Sequence, residues 1–333
     1  MVGRRIRHIL KSKEMILVLI SIVIIIIFRL VNPNFLSVGS LSGIMQAMSL
    51  TGIIAVGIGT LLIGGSIDLS ASSVCLFGGV LCALLIRANV PWGLAMVITL
   101  IAGFVIGVIN AFLITKVKMM PFIATIAVSN VLSGINLAVT NAQNVPIPVE
   151  SFWWGGKLVF GIFPVPFIIM TLLMIVYAFI LNKTQFGRNV YLVGGNMTAA
   201  RLAGVNPKKI HTILYINSSV LAAFAGIVLA SRMQSAAPQS QSDSQLNALT
   251  AAILGGIAFT GGAGGMAGCF IGVMLFSFFN SGLNSLALDA YWSLIASGCL
   301  LIIALTVDYF NELSREKNLK VKKPASAAKK EGA

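Results

Sequence analysis

The sequence predicts an all-α, polytopic membrane protein of about ten transmembrane helices, some of them broken, with both termini in the cytoplasm. Three observations predict it. First, 57% of the 333 residues are hydrophobic and only 10% are charged, whereas soluble domains carry about 25% charged residues. Second, apolar stretches long enough to cross a bilayer, about 17–25 residues each, recur along the chain. They fall at roughly 15–31, 41–63, 70–88, 91–115, 121–140, 162–182, 211–231, 246–260, 266–287 and 291–308. The second, fifth and eighth contain polar or glycine-rich interruptions. Third, Lys and Arg are asymmetric. With the N-terminus inside, 19 of the 23 fall in inner segments and three (Arg87, Lys157, Arg232) in outer ones, with Arg29 near the outer end of the first span. That bias sets orientation and requires an even number of spans.

The organisation follows. Residues 1–14 form a basic cytoplasmic N-terminus, read as leading into an uncleaved first helix because no small-residue cleavage site follows it. Residues 15–308 form the membrane domain. Its largest inner loop covers about 183–210, and its largest outer loop, about 141–161, carries Trp153 and Trp154 at the expected interfacial belt. Residues 309–333 read as a basic, disordered tail able to rest on anionic lipid. The net charge of +14 is distributed for membrane orientation and not for nucleic acid. Cys75, Cys82, Cys269 and Cys299 lie in apolar runs without CxxC spacing and read as small buried side chains. His8 and His211 stand alone at helix ends. These patterns favour neither metal, disulfide nor a catalytic cluster, so a membrane-bound enzyme finds no support. No G-x-x-x-x-G-K-[ST] motif is present, so the chain holds no ATP site of that kind.

Four stretches stand out. "GGSIDLSAS" (64–72) places Asp68 where no other acid lies nearer than Glu14 or Glu150. A charge at bilayer depth costs about 2.5–3.5 kcal/mol on insertion scales, so it marks a break. There Asp68 or Ser70 is expected to cap the next span, or, with Ser66, to line a polar path. "FGRNVYLVGGNMTAARLAGVNPKKI" (186–210) predicts a short helix from Thr198 or Ala199 to Ala203, ended by Gly204 and turned by Asn206-Pro207. A small-residue helix displayed to the cytosol suits a partner's groove. "LGGIAFTGGAGGMAGCFIG" (254–272) carries Gly255, Gly256, Gly261, Gly262, Gly264 and Gly265, for close helix packing or a gate. Lastly, "ATIAVSNVLSGINLAVTN" holds Thr125, Ser129, Asn130, Ser133, Asn136 and Asn141, and "FSFFNSGLN" holds Asn280 and Asn284 beside Phe278 and Phe279. Uncharged amides and hydroxyls suit a hydroxylated solute. They also suit interhelical hydrogen bonding. Asn130 and Asn280 are the best individual path candidates.

In order and spacing these segments, with "NPNFLS" after the first span, resemble the permease subunits of bacterial ABC importers of the ribose, xylose and arabinose type, over about residues 33–308. The resemblance implies an inner-membrane permease for a monosaccharide. It implies a second copy or paralogue, two cytoplasmic ABC ATPase subunits that bind the ATP, and an extracytoplasmic solute-binding protein. It places Gly187, Arg188, Gly194, Gly195, Asn196, Ala199, Ala200 and Gly204 on the loop that receives the ATPase stroke. Three departures stand out: Ser66 and Ser72 where glycine is usual, and Met197 where an acidic residue is common. A stand-alone, ion-coupled transporter using Asp68 is the alternative.

Overall fold

The computed structural model describes residues 13–239, 243–286 and 290–321. In chain order the α-helices are α1 (Lys13–Val31), α2 (Val38–Ile63), α3 (Ala71–Arg87), α4 (Trp92–Thr115), α5 (Pro121–Thr140), α6 (Val165–Lys183), α7 (Gln185–Gly195), α8 (Met197–Leu202), α9 (Pro207–Met233), α10 (Ser244–Leu254), α11 (Met266–Ser285) and α12 (Ala290–Val321). Among the described residues, seven helices are long and apolar enough to cross a membrane: α2, α4, α5, α6, α9, α11 and the Tyr291–Phe310 part of α12. The apolar part of α1 (Leu17–Val31) and α3 are shorter.

Local chemistry starts these helices where the chain allows. Ser37 accepts from the Ser40 N–H at the head of α2, and Asn206 accepts from the Lys208 and Lys209 N–H groups at the head of α9. Pro121 and Pro207 occupy first-turn positions, where the missing N–H costs nothing. Within the helices, Ser49, Thr99, Thr115 and Thr140 each donate to the carbonyl four residues back, which satisfies hydroxyls in apolar surroundings.

Two helices form the centre. α9 packs against α2, α3 and α4, and α2 also packs against α6, α10 and α11. A helix buried on all sides must be apolar all round, and 83% of the most apolar window of α2 is buried. α9 meets its neighbours at glycines. A Cβ on Gly226 would lie 1.9 Å from the Cys75 carbonyl oxygen of α3, and one on Gly107 of α4 would lie 2.5 Å from the Ile216 Cα of α9. Backbone contact of this kind replaces the hydrophobic drive that lipid does not supply.

One end of the bundle carries α7 and α8. The other is tied by short strands: β1 (Val145–Pro146) pairs antiparallel with β4 (Ser235–Ala236), and β2 (Leu158–Val159) with β3 (Phe163–Pro164). A 3-10 helix, Glu150–Gly156, sits on the end of α9, where the Gly155 N–H donates to Ser231 Oγ at 2.8 Å. Trp153 is half-buried there and its indole N–H donates to the Ile147 carbonyl.

Four expectations are corrected. The eighth span, read at 246–260, is only α10, which stops at Leu254. Its 11 residues rise about 16 Å, roughly half of a ~30 Å hydrocarbon core. The chain then turns through Gly256 (φ +85), whose N–H bonds the Ile253 carbonyl while Ile257 N–H bonds Ala252. The second and fifth spans, by contrast, run unbroken as α2 and α5: Ser49, Thr60, Thr125 and Thr140 bond back to their own helix, and Ser129 and Ser133 bond Ser73 of α3. Cys75, Cys82 and Cys269 are buried, but Cys299 is exposed, since only 6% of the apolar window of α12 is covered. The last helix continues to Val321, into the segment read as disordered tail. Residues 1–12 and 322–333 of the two basic termini lie outside the described residues.

Gly226→Ala should therefore force α3 and α9 apart and cost about 1–3 kcal/mol, the usual penalty of overpacking. Gly43→Ala, where a Cβ meets nothing within 4 Å, should leave stability unchanged or raise it by up to about 1 kcal/mol, the helix-propensity gain of alanine over glycine. Thermal unfolding of the detergent-solubilised variants checks both.

Candidate functional site: the break between α2 and α3 and its junction with α7

α2 ends as a Schellman turn. Gly65 adopts φ +76, its N–H bonds the Leu62 carbonyl, and the Ser66 N–H reaches back to Leu61. The following residues, 66–70, are irregular, with Ser66, Asp68 and Ser70 buried and Ile67 and Leu69 half-buried, so the buried polar groups need partners. Asp68 is fully buried, and two elements supply its donors. Its Oδ1 accepts from the Ser70 N–H at 2.8 Å and the Ser70 hydroxyl at 2.6 Å, and its Oδ2 accepts from the Ser218 hydroxyl of α9 at 2.8 Å. Asn110 of α4 donates to Ser70 Oγ at 2.9 Å, and Thr125 of α5 accepts from the Leu69 N–H at 3.1 Å. Tyr215 of α9 donates to the Ile67 carbonyl at 3.0 Å and receives the Ser66 hydroxyl at 2.5 Å. His211 Nε2 donates to the Gly64 carbonyl at 3.0 Å. A carboxylate with three donors, none of them a cation, is held by hydrogen bonds and not by an ion pair.

This corrects the capping expectation. Ser70 is the N-cap of α3 but makes no side-chain cap bond, because its hydroxyl is turned to Asp68. Asp68 accepts from the Ser70 N–H and from no N–H within α3. His211 lies on the same face of α9 as Tyr215 and Ser218.

The second feature joins three distant glycine segments. Gly64-Gly65 after α2, Gly194-Gly195 at the end of α7 and Gly261-Gly262 after α10 touch backbone to backbone. The Gly262 N–H donates to the Ile63 carbonyl at 2.8 Å. A Cβ on Gly194 would lie 1.8 Å from that same oxygen, one on Gly261 2.7 Å from the Gly65 Cα, and one on Gly262 2.6 Å from the Gly195 Cα. Tyr191 of α7 adds a hydrogen bond to the Gly264 carbonyl at 2.8 Å. Burial raises its phenol above the ordinary value, so it remains a neutral donor.

From this junction α7 leads into α8. Asn196 caps α8, accepting from the Thr198 and Ala199 N–H groups, and Gly204 (φ +80) ends it. The short helix expected from Thr198 or Ala199 is thus Met197–Leu202, preceded by α7, which the sequence reading left as loop. Ala200 is buried against the bundle, while Ala199 is exposed and Leu202 is 87% exposed. Gly187 is pressed on the α6 end, where a Cβ would lie 2.2 Å from the Leu181 carbonyl oxygen, and Arg188 is exposed with its guanidinium on Gln185. Gly255 packs α10 on Gly268 of α11, and a Cβ on Gly265 meets nothing. Asn280 lies apart from Asp68, beside a polar cavity with Asn284. Asn130 is exposed on α5. Sequence reasoning missed Asn110, Tyr215 and Ser218. The signal was available in α9, where residues 211, 215 and 218 recur at helical spacing.

A buried, hydrogen-bonded break at the end of an apolar bundle is thus tied to an exposed short helix. Comparison with known proteins gives the class, a membrane permease. Residues 40–305 match the family described as branched-chain amino acid transport system / permease component, and the chain belongs to that family. It is 35% identical over 290 residues to the ribose import permease protein RbsC of Bacillus subtilis (strain 168), covering 86% of this chain and 89% of the relative. It is 31% identical over 301 residues to the L-arabinose ABC transporter permease protein AraH of Azospirillum brasilense, covering 90% and 88%. It is 32% identical over 319 residues to the galactose/methyl galactoside import permease protein MglC of Escherichia coli (strain K12), covering 90% and 94%. No solved structure matches significantly.

Asp68→Asn keeps an acceptor for the Ser70 N–H, whereas Asp68→Ala strands that N–H and two hydroxyls. The alanine variant should lose at least about 2 kcal/mol more stability than the asparagine variant, read as the difference between their unfolding midpoints.

Proposed function

We propose that the chain is the inner-membrane permease subunit of an ATP-driven importer of a monosaccharide. In this reading ten segments cross the bacterial membrane, α10 being the broken one, and both termini are cytoplasmic. ATP is bound and hydrolysed by separate ABC ATPase subunits that dock on α8. A solute-binding protein delivers the sugar to the opposite end. The observation that carries the reading is the match along most of the chain to permeases named for ribose, arabinose and galactose import. The exposed tip at α8 supports the docking role: Leu202 and Met197 are exposed apolar side chains at an end where Lys208 and Lys209 are also exposed.

A second permease copy or paralogue fits α5. Asn130 is exposed midway along an apolar helix, on a face with Ala127, Gly134 and Ala138. An amide there is costly against lipid and is accommodated against another helix, where small neighbours let backbones approach.

Mechanically, closure of the ATPase pair pushes on α8 and α7. The push passes through the glycine contact to the α2–α3 break, and the path switches from outward- to inward-facing. An ion-coupled mechanism through Asp68 draws no support from a carboxylate whose donors are all supplied by the fold.

Reconstitution with the ATPase and binding protein tests the class. Uptake should require internal ATP and proceed without an ion gradient; uptake driven by an ion gradient alone would contradict the reading. Leu202→Glu should assemble normally, because its side chain touches little of the permease, yet lose binding-protein-stimulated ATP hydrolysis and uptake together.

A further inference from the structure

The half-length of α10 leaves space beyond its N-terminus, and that space is a polar cavity of about 350 Å³. Small-molecule sites commonly occupy about 300–1,000 Å³. Its walls come from five helices, α2, α9, α10, α11 and α12. Leu50 and Thr51 lie on α2, Asn247 on α10, Phe276, Asn280 and Asn284 on α11, and Ser293 and Ser297 on α12; Arg232 and Asp243 also line it. Counting along the helices at 1.5 Å per residue, Thr51 stands about 18 Å from the Ile63 end of α2. Asn280 stands about 21 Å from the Met266 end of α11. Thr51 therefore lies midway along α2, while Asn280 lies about 8 Å from the Ser285 end of α11, so the cavity sits in the half of the bundle away from α7 and α8.

The lining has a definite polarity. Ser297 donates to Asn280 Oδ1 at 3.2 Å and Ser293 donates to Asn284 Oδ1 at 3.0 Å. Each amide oxygen thus has one lone pair engaged, and each amide still offers its Nδ2 donor pair and a second acceptor lone pair. Asp243 precedes α10 without making a side-chain cap bond. Asn247 and Asn280 are half-buried and Asn284 is exposed on the cavity wall, so donors held in fixed orientation there point to a ligand with complementary acceptors. The ligand must carry several acceptors and donors and no net charge, since the cavity presents one carboxylate, one guanidinium and a majority of neutral amides and hydroxyls. Leu50 and Phe276 supply an apolar wall for a C–H face.

We propose that this cavity between α2, α10, α11 and α12 is the intramembrane binding site for the hydroxylated solute, held chiefly by Asn247, Asn280 and Asn284. The assignment deepens the importer reading and rests on it. α10, broken at membrane depth, then does what broken helices do in other transporters: it brings backbone ends and polar side chains to the level where the solute pauses.

The test uses the complete importer in proteoliposomes, with D-ribose, L-arabinose and D-galactose each presented on the binding protein. With whichever sugar wild type transports, Asn247→Ala and Asn280→Ala should each lower uptake about tenfold, the loss expected for one buried hydrogen bond. Membrane abundance and binding-protein-stimulated ATP hydrolysis should hold at the wild-type level. Thiol labelling gives an independent readout. In a Cys299→Ser background, a hydrophilic reagent should label Ser281→Cys, also on the cavity wall, and the transported free sugar should slow that labelling. Wild-type uptake in both alanine variants, with labelling indifferent to sugar, would overturn the site. So would loss of uptake on filling a different cavity with Ser133→Leu, at the α3–α5 contact, while both alanine variants transport normally. Failure of the importer reading looks different: wild type itself would then show no ATP-dependent uptake of any of the three sugars.

Discussion

The structure turns on a contact that contains no side chains. Ile63, Gly65, Gly194, Gly261 and Gly262 bring three chain segments to backbone separation, and the hydrogen bond from the Gly262 N–H to the Ile63 carbonyl closes it. A single methyl group at position 194 would collide with that carbonyl. The contact is therefore possible only with glycine, and it makes the end of α2, the end of α7 and the turn after α10 parts of one body. Each of those ends leads somewhere functional. α2 leads to the Asp68 break, α7 to the exposed α8, and the turn after α10 to the half-helix and the polar cavity beyond it.

The Asp68 network makes the first of these connections stiff. A carboxylate in an apolar bundle is costly unless its acceptors are filled, and here α9 and the backbone of the break itself fill them. The cost of burying the acid is offset by hydrogen bonds that also fix residues 66–70 to α4, α5 and α9. Displacement of the break must then be carried by those helices and α3, and α9 meets α3 at Gly226 and α4 at Gly107 likewise backbone to backbone. Such interfaces slide or separate as units and do not deform gradually. A push on α8 has a route of rigid elements as far as the centre of the bundle.

Much of this was legible in the chain. Apolar length and Lys/Arg placement marked the helices, and the order of the glycine-rich segments marked the family. The end of α8 at Gly204 followed from local turn chemistry. What sequence could not supply was company. Asp68 was visible as an oddity, but its partner Ser218 lies 150 positions away, Asn110 lies 40 from the Ser70 it bonds, and no local rule links them. The three glycine pairs were each noticed and read separately, as a break, a loop and a packing segment, because backbone contact leaves no mark in residue identity beyond the glycine itself. α10 was read too long because its apolar composition continues past Leu254, and only the positive φ at Gly256 stops the helix. Asn280 was singled out for its chemistry; Asn247, inside the eighth span, carries no local mark that sets it beside Asn280.

The central claim is that the glycine contact stays closed while the importer works. Amide hydrogen exchange of the 254–265 segment, compared between nucleotide-free and ATP-bound complexes, tests it directly. The account predicts slow exchange of the Gly262 amide in both states, with the bond to Ile63 intact. Rapid exchange of that amide on ATP binding would show that the contact opens, and the stroke would then have to reach the solute path by another route.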